Sequence, residues 1–134
     1  MELVTLYRVG LGTVEQGPFV RGASVSLDDH CQQYKSALHY PSPYNDSKIE
    51  RDCKEEESCA CTSVSQLKYW FLEDRAMDVL LSMNARIYVL EVPKEHVVRG
   101  ELQALYIRAH AKVVLVLPIE ALPTLGEDHE QASI

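Results

Sequence analysis

Cys59-Ala60-Cys61-Thr62-Ser63-Val64-Ser65-Gln66-Leu67-Lys68-Tyr69-Trp70-Phe71 is the stretch on which the fold turns. It opens small and apolar, as a short strand does, and then changes period. Ser63 with Gln66 three residues later has capping-box spacing, in which the hydroxyl and the amide side chain satisfy free N–H groups at a helix start. Leu67, Trp70 and Phe71 then recur at i, i+3 and i+4, which draws one apolar stripe along a helix. A second helical segment, Asp74–Met83, adds Met77, Leu80 and Leu81 to the same core, and Asn84 suits a left-handed stop. The middle of the chain is therefore a strand running into two helices.

Upstream, Leu3–Val9 carries apolar residues at Leu3, Val4, Leu6, Tyr7 and Val9 and reads as a largely buried strand. Gly10, Gly12 and Gly17-Pro18 end it. Residues 18–58 read as one long irregular loop. Its His39-Tyr40-Pro41-Ser42-Pro43 and Tyr44-Asn45-Asp46-Ser47 runs have turn chemistry. A short helix over Asp29–Leu38 is expected to interrupt it, and Arg51–Ser58, with Glu55-Glu56-Glu57, reads as a solvated connector. Downstream, Arg86–Val92 is a strong strand stopped by Pro93. Glu101–Ile107 and Lys112–Leu117 follow as two more, the last ended by Pro118.

Strands on both sides of a central helical segment predict an α+β fold with a mixed or antiparallel sheet and two central helices. One domain over 1–125 with a frayed tail at 126–134 is expected. No G-x-G-x-x-G or Walker loop is present, so the two commonest nucleotide cradles are excluded.

The 134 residues are 46% hydrophobic and 25% charged, enough for one packed core. No apolar run approaches the ~20 residues that span a bilayer. Met1–Leu6 has no basic segment, so a cytoplasmic protein without membrane contact is expected. The net charge of −7 argues against direct nucleic-acid binding, which needs cations at phosphates. It suits a basic host protein or nucleoprotein complex as partner, and also simply keeps a small domain soluble. Cys53, Cys59 and Cys61 follow C-x5-C-x-C spacing, with Cys31 upstream, which is not a zinc-ligand pattern. No metal is predicted, and the cysteines read as reduced structural thiols.

Three short segments carry the candidate chemistry. Tyr7-Arg8 places a cation in an apolar first strand. Cys61-Thr62-Ser63 sets hydroxyls at the strand-to-helix step. Glu101-Leu102-Gln103 opens a late strand, where alternation points Glu101 and Gln103 to one face. In this order the three resemble the Arg–Ser–Glu branch of the ADP-ribosyltransferase superfamily: an Arg on the first strand, a Ser-Thr-Ser-like step, and a Glu/Gln-x-Glu pair. The chain also looks like small phage and prophage proteins with a Tyr-Arg-Val start, a Gly-Pro-aromatic step, a His-Pro-like loop and a late Gly-x-x-Gln strand.

The resemblance implies an ADP-ribosyltransferase-like fold and NAD as cofactor. It casts Glu101 and Gln103 as catalytic, and Arg8, Tyr7, Thr62, Ser63 and His39 as cofactor-binding. In such a site a carboxylate stabilises the oxocarbenium-like ribose, Arg holds phosphates, and an aromatic stacks on nicotinamide or adenine. The family's catalytic Glu falls here on Gln103, which keeps a hydrogen bond and loses the charge. Three outcomes stay open: Glu101 supplies the charge, NAD binds without turnover, or the fold is a pure binding scaffold. The alternative from a different class is a noncatalytic, acidic anti-defence inhibitor of anti-CRISPR type that docks on a basic nucleoprotein machine.

Overall fold

The computed structural model describes residues 2–14, 48–51, 53–72 and 74–126. The helix expected over Asp29–Leu38, the turns around His39, most of the 18–58 loop and the tail beyond 126 lie outside the described residues.

Among the described residues, six strands form two three-stranded sheets. In the first, β1 (Leu3–Leu11) pairs antiparallel with β3 (Ala85–Pro93), which pairs antiparallel with β6 (Lys112–Pro118). In the second, β5 (Ala104–Ile107) lies between β2 (Glu57–Ala60) and β4 (Val97–Arg99), again antiparallel throughout. The sheets join at one bridge, where Tyr7 and Cys61 exchange N–H···O bonds of 2.8 Å in each direction. The class is α+β with antiparallel sheets, as the order of elements predicts.

Helix α1 (Val64–Phe71) begins where the cap spacing places it: the Gln66 amide donates to Ser63 Oγ at 3.0 Å. The Gln66 side chain reaches one residue farther back than a capping box requires, accepting from the Thr62 amide at 2.8 Å. Helix α2 (Asp74–Ser82) follows, and Asn84 adopts the left-handed conformation at φ 56°.

Alternation along β1 and β3 divides the core in two. Tyr7, Val9, Ile87 and Val89 pack with Val64, Leu67 and Phe71 of α1 and with Leu80 of α2. Val4, Leu6, Tyr88, Leu90 and Val92 face the other way and pack with Ala60, Ala104 and Tyr106 of the second sheet. Burial on both faces explains why β1 and β3 read as nearly continuous apolar runs. Gly10 is required by space: a Cβ there would drive into the Thr13 carbonyl and lie 2.8 Å from Cε2 of Tyr88.

Two strand starts and one whole strand differ from the sequence reading. β2 starts at Glu57, inside the supposed connector, because Arg51 neutralises that carboxylate. β5 starts at Ala104 instead of Glu101, because the preceding residues form a turn. β4 was not anticipated: Val97-Val98-Arg99 is too short to show a period.

Candidate functional site

The seam between the sheets gathers the segments singled out in the sequence. Tyr7 makes the bridge itself, and its ring is buried in the α1 side of the core at 2% exposure. Arg8, the next residue, faces the opposite side of β1, across from Tyr88. The residue is only 8% exposed, and its guanidinium stitches the sheets together, with Nε donating to Val14 O at 2.6 Å and Nη1 to Cys59 O at 2.5 Å.

On the α1 side, the second and third segments meet. Ser63 Oγ is taken up by the helix cap, and Gln66 links the two segments. Its Oε1 accepts from Thr62 N, while Nε2 donates to the Glu101 carbonyl at 3.3 Å. One turn later, Trp70 Nε1 donates to the Leu102 carbonyl at 2.6 Å. The same apolar stripe that makes α1 a core helix thus clamps the Glu101–Gln103 turn beside Thr62.

That turn corrects the expectation that Glu101 and Gln103 share a strand face. Gly100 N donates to Gln103 O at 2.7 Å and closes a tight turn before the strand begins. Glu101 is left exposed, whereas Gln103 is buried at 5% exposure. The structure therefore brings Thr62, Ser63, Glu101 and Gln103 to one end of α1, and Arg8 reaches the seam from the other face of β1. His39 lies outside the described residues.

A polar cluster that the sequence reading took for a solvated connector caps the second sheet. Arg51 clasps Glu57 with two bonds of 2.7 and 2.8 Å, and the Lys54 amide donates to the same carboxylate at 2.9 Å. The Arg51 bonds hold the Glu57 carboxyl far below its ordinary range, at about 2, although burial pushes the other way. Arg108 ties in β5's end, donating to Glu57 O at 2.5 Å, to Ser58 Oγ at 3.3 Å and to the Glu55 carbonyl. The signal in the sequence was a basic and an acidic residue six positions apart; buried against a strand end, they pair. Burial raises the Tyr106 hydroxyl and the Cys61 thiol, and pushes the Cys59 thiol up to about 12.

Among the described residues, no three His, Cys, Asp or Glu side chains converge as metal ligands, and no helix is long and apolar enough to cross a membrane. No curated protein and no solved structure matches the chain. A family model described as bacteriophage T4 Y00F protein matches residues 1–120, nearly the whole described domain. A match of that extent decides the relationship: the chain belongs to the bacteriophage T4 Y00F protein family.

Proposed function

We propose that this phage-family domain is ADP-ribosyltransferase-like, binds NAD at the seam, and acts in the host cytosol by blocking or modifying a host defence protein. The observation that carries the reading is the clamp made by Gln66 and Trp70, which holds the Thr62-Ser63 step against the Glu101–Gln103 turn. A hydroxyl, an exposed carboxylate and a helix start then share one small region, a set suited to ribose hydroxyls and phosphate. Arg8 enters as the residue that keeps the seam closed, since its guanidinium already serves two carbonyls.

Binding is favoured over rapid turnover. Gln103 is uncharged and buried, so the positive charge of an oxocarbenium-like ribose falls to Glu101 alone. Loss of one preorganised electrostatic contact costs on the order of a hundredfold or more in rate. Calorimetric titration of NAD tests the reading: a single saturable site is expected, weakened about tenfold by Glu101→Gln, with nicotinamide release close to background. Absence of binding at millimolar NAD contradicts it.

A second reading rests on charge. Glu50, Glu55 and Glu56 are exposed around the start of the second sheet, on a chain of net charge −7. An anti-defence inhibitor of anti-CRISPR type would use that surface against a basic complex. Such docking weakens steeply with salt and is indifferent to NAD.

A further inference from the structure

The outer edge of the first sheet takes no part in either reading. β6 pairs with β3 on one side, and among the described residues no strand lies on its other side. Among those residues, no hydrogen bond outside the β3 pairing engages Lys112–Pro118. The far edge of the sheet differs, since the Tyr7–Cys61 bridge holds β1 to the second sheet. An open edge leaves alternate N–H and C=O groups unpaired and is a template for a further strand. Proteins guard such edges with short strands and charges, as β4 does with three residues and Arg99. β6 has seven residues, and Val113-Val114-Leu115-Val116-Leu117 in its middle carries no charge. Val113 to Val116 are each 40–43% exposed, on both faces of the strand.

We propose that β6 pairs antiparallel with β6 of a second copy of this chain, giving a weak symmetric dimer. Full overlap of the two strands puts the two-fold axis at Leu115. Val113 then stands opposite Leu117 of the second copy and Val114 opposite Val116, so apolar residues meet at every interior position. Lys112 falls opposite Pro118, whose missing N–H costs nothing at the end of a ladder. Glu120 is exposed two residues beyond Pro118, so Lys112 of each copy comes up beside Glu120 of the other. Opposite charges therefore meet at both ends of the paired strands. β6 contains no acid, so the chain's net charge of −7 is not set against itself along the contact.

Self-complementary overlap and the paired end charges select a second copy over an unrelated extended segment. The pairing is isologous, so each copy uses up its one open edge in the first sheet and association stops at two. A bulge leaves Val114 without a partner on β3, and its side chain gains one in the dimer. Seven residues make an edge roughly 24 Å long. Such a ribbon covers far less than the ~800 Å² per partner of a standard stable interface. Main-chain hydrogen bonds supply the affinity, as in other strand additions, and the dimer is populated only at high protein concentration. It rests on neither functional reading.

The test is sedimentation of the full chain from about 10 μM to about 1 mM. The mean mass should rise from the chain's 15.2 kDa toward twice that value and level off there. Val114→Lys sets two lysines diagonally across the axis and should weaken association more than about tenfold. Leu115→Cys meets its own counterpart at the axis, and mild oxidation followed by peptide mapping should recover a 115–115 cross-link between copies. A mass of one chain throughout the series overturns the proposal, as does growth past two copies without a plateau. A dimer that Val114→Lys leaves intact, or that yields no cross-link at 115, also overturns it, because its contact lies elsewhere. The concentration series on the unsubstituted chain does not depend on either variant folding.

Discussion

The two sheets bury different kinds of residue. In the first, β3 is central and Ile87, Leu90 and Val92 are fully buried, whereas edge strand β6 leaves Val113, Val114, Leu115 and Val116 each 40–43% exposed. Of the four buried polar residues among the described ones, Glu57 and Ser58 lie in the second sheet and Gln103 just before its strand β5, with Arg8 reaching in from β1. Apolar burial makes the first sheet a source of stability; satisfied polar burial makes the second a geometry that must be held in one arrangement. The candidate chemistry collects where the two kinds meet, at the Tyr7–Cys61 seam.

Substitutions can break that contrast in order of size. Leu90→Ala, in the fully buried middle of β3, should cost about 3 kcal/mol in denaturant unfolding without altering what the seam binds. Arg8→Ala leaves the part-buried carbonyls of Val14 and Cys59 without their guanidinium donors. It should cost about 2 kcal/mol and loosen hydrogen-exchange protection on both sides of the seam.

Glu57 sharpens the comparison through pH. Its folded pKa is depressed to about 2 from an ordinary 4.5. The ionised form is thus the one folding favours, and its contribution is complete above the ordinary value and lost as pH falls toward 2. Stability of the unsubstituted chain should decline over that window, and Glu57→Gln should flatten the decline. At the small end, Val114→Lys on exposed β6 should change stability by less than about 0.5 kcal/mol and leave the second sheet untouched.

How much of this was legible depends on the range of the interaction. The helix cap at Ser63, the stop at Asn84 and the strands β1 and β3 are written in neighbouring residues, so local rules find them. The α1 stripe located Trp70 in the core but not its indole bond to Leu102, because that bond spans 32 residues. The same distance effect hid Arg8's role: an arginine in an apolar strand signals a buried partner, and only the approach of Val14 and Cys59 tells which. Glu101 and Gln103 misled because alternation assumes a strand, and Gly100 instead folds a turn there. The Arg51–Glu57 clasp was missed because charge density reads as exposure until a strand end covers it.

The central claim is that the region where Gln66 joins Thr62 to Glu101 is the binding site. Amide chemical shifts of the full chain during NAD titration test it most directly. Saturable shifts at Thr62, Gln66, Glu101 and Leu102, with Val113–Val116 of β6 unmoved, are the predicted result. Shifts confined to β6, or none anywhere as NAD reaches millimolar concentration, would contradict it.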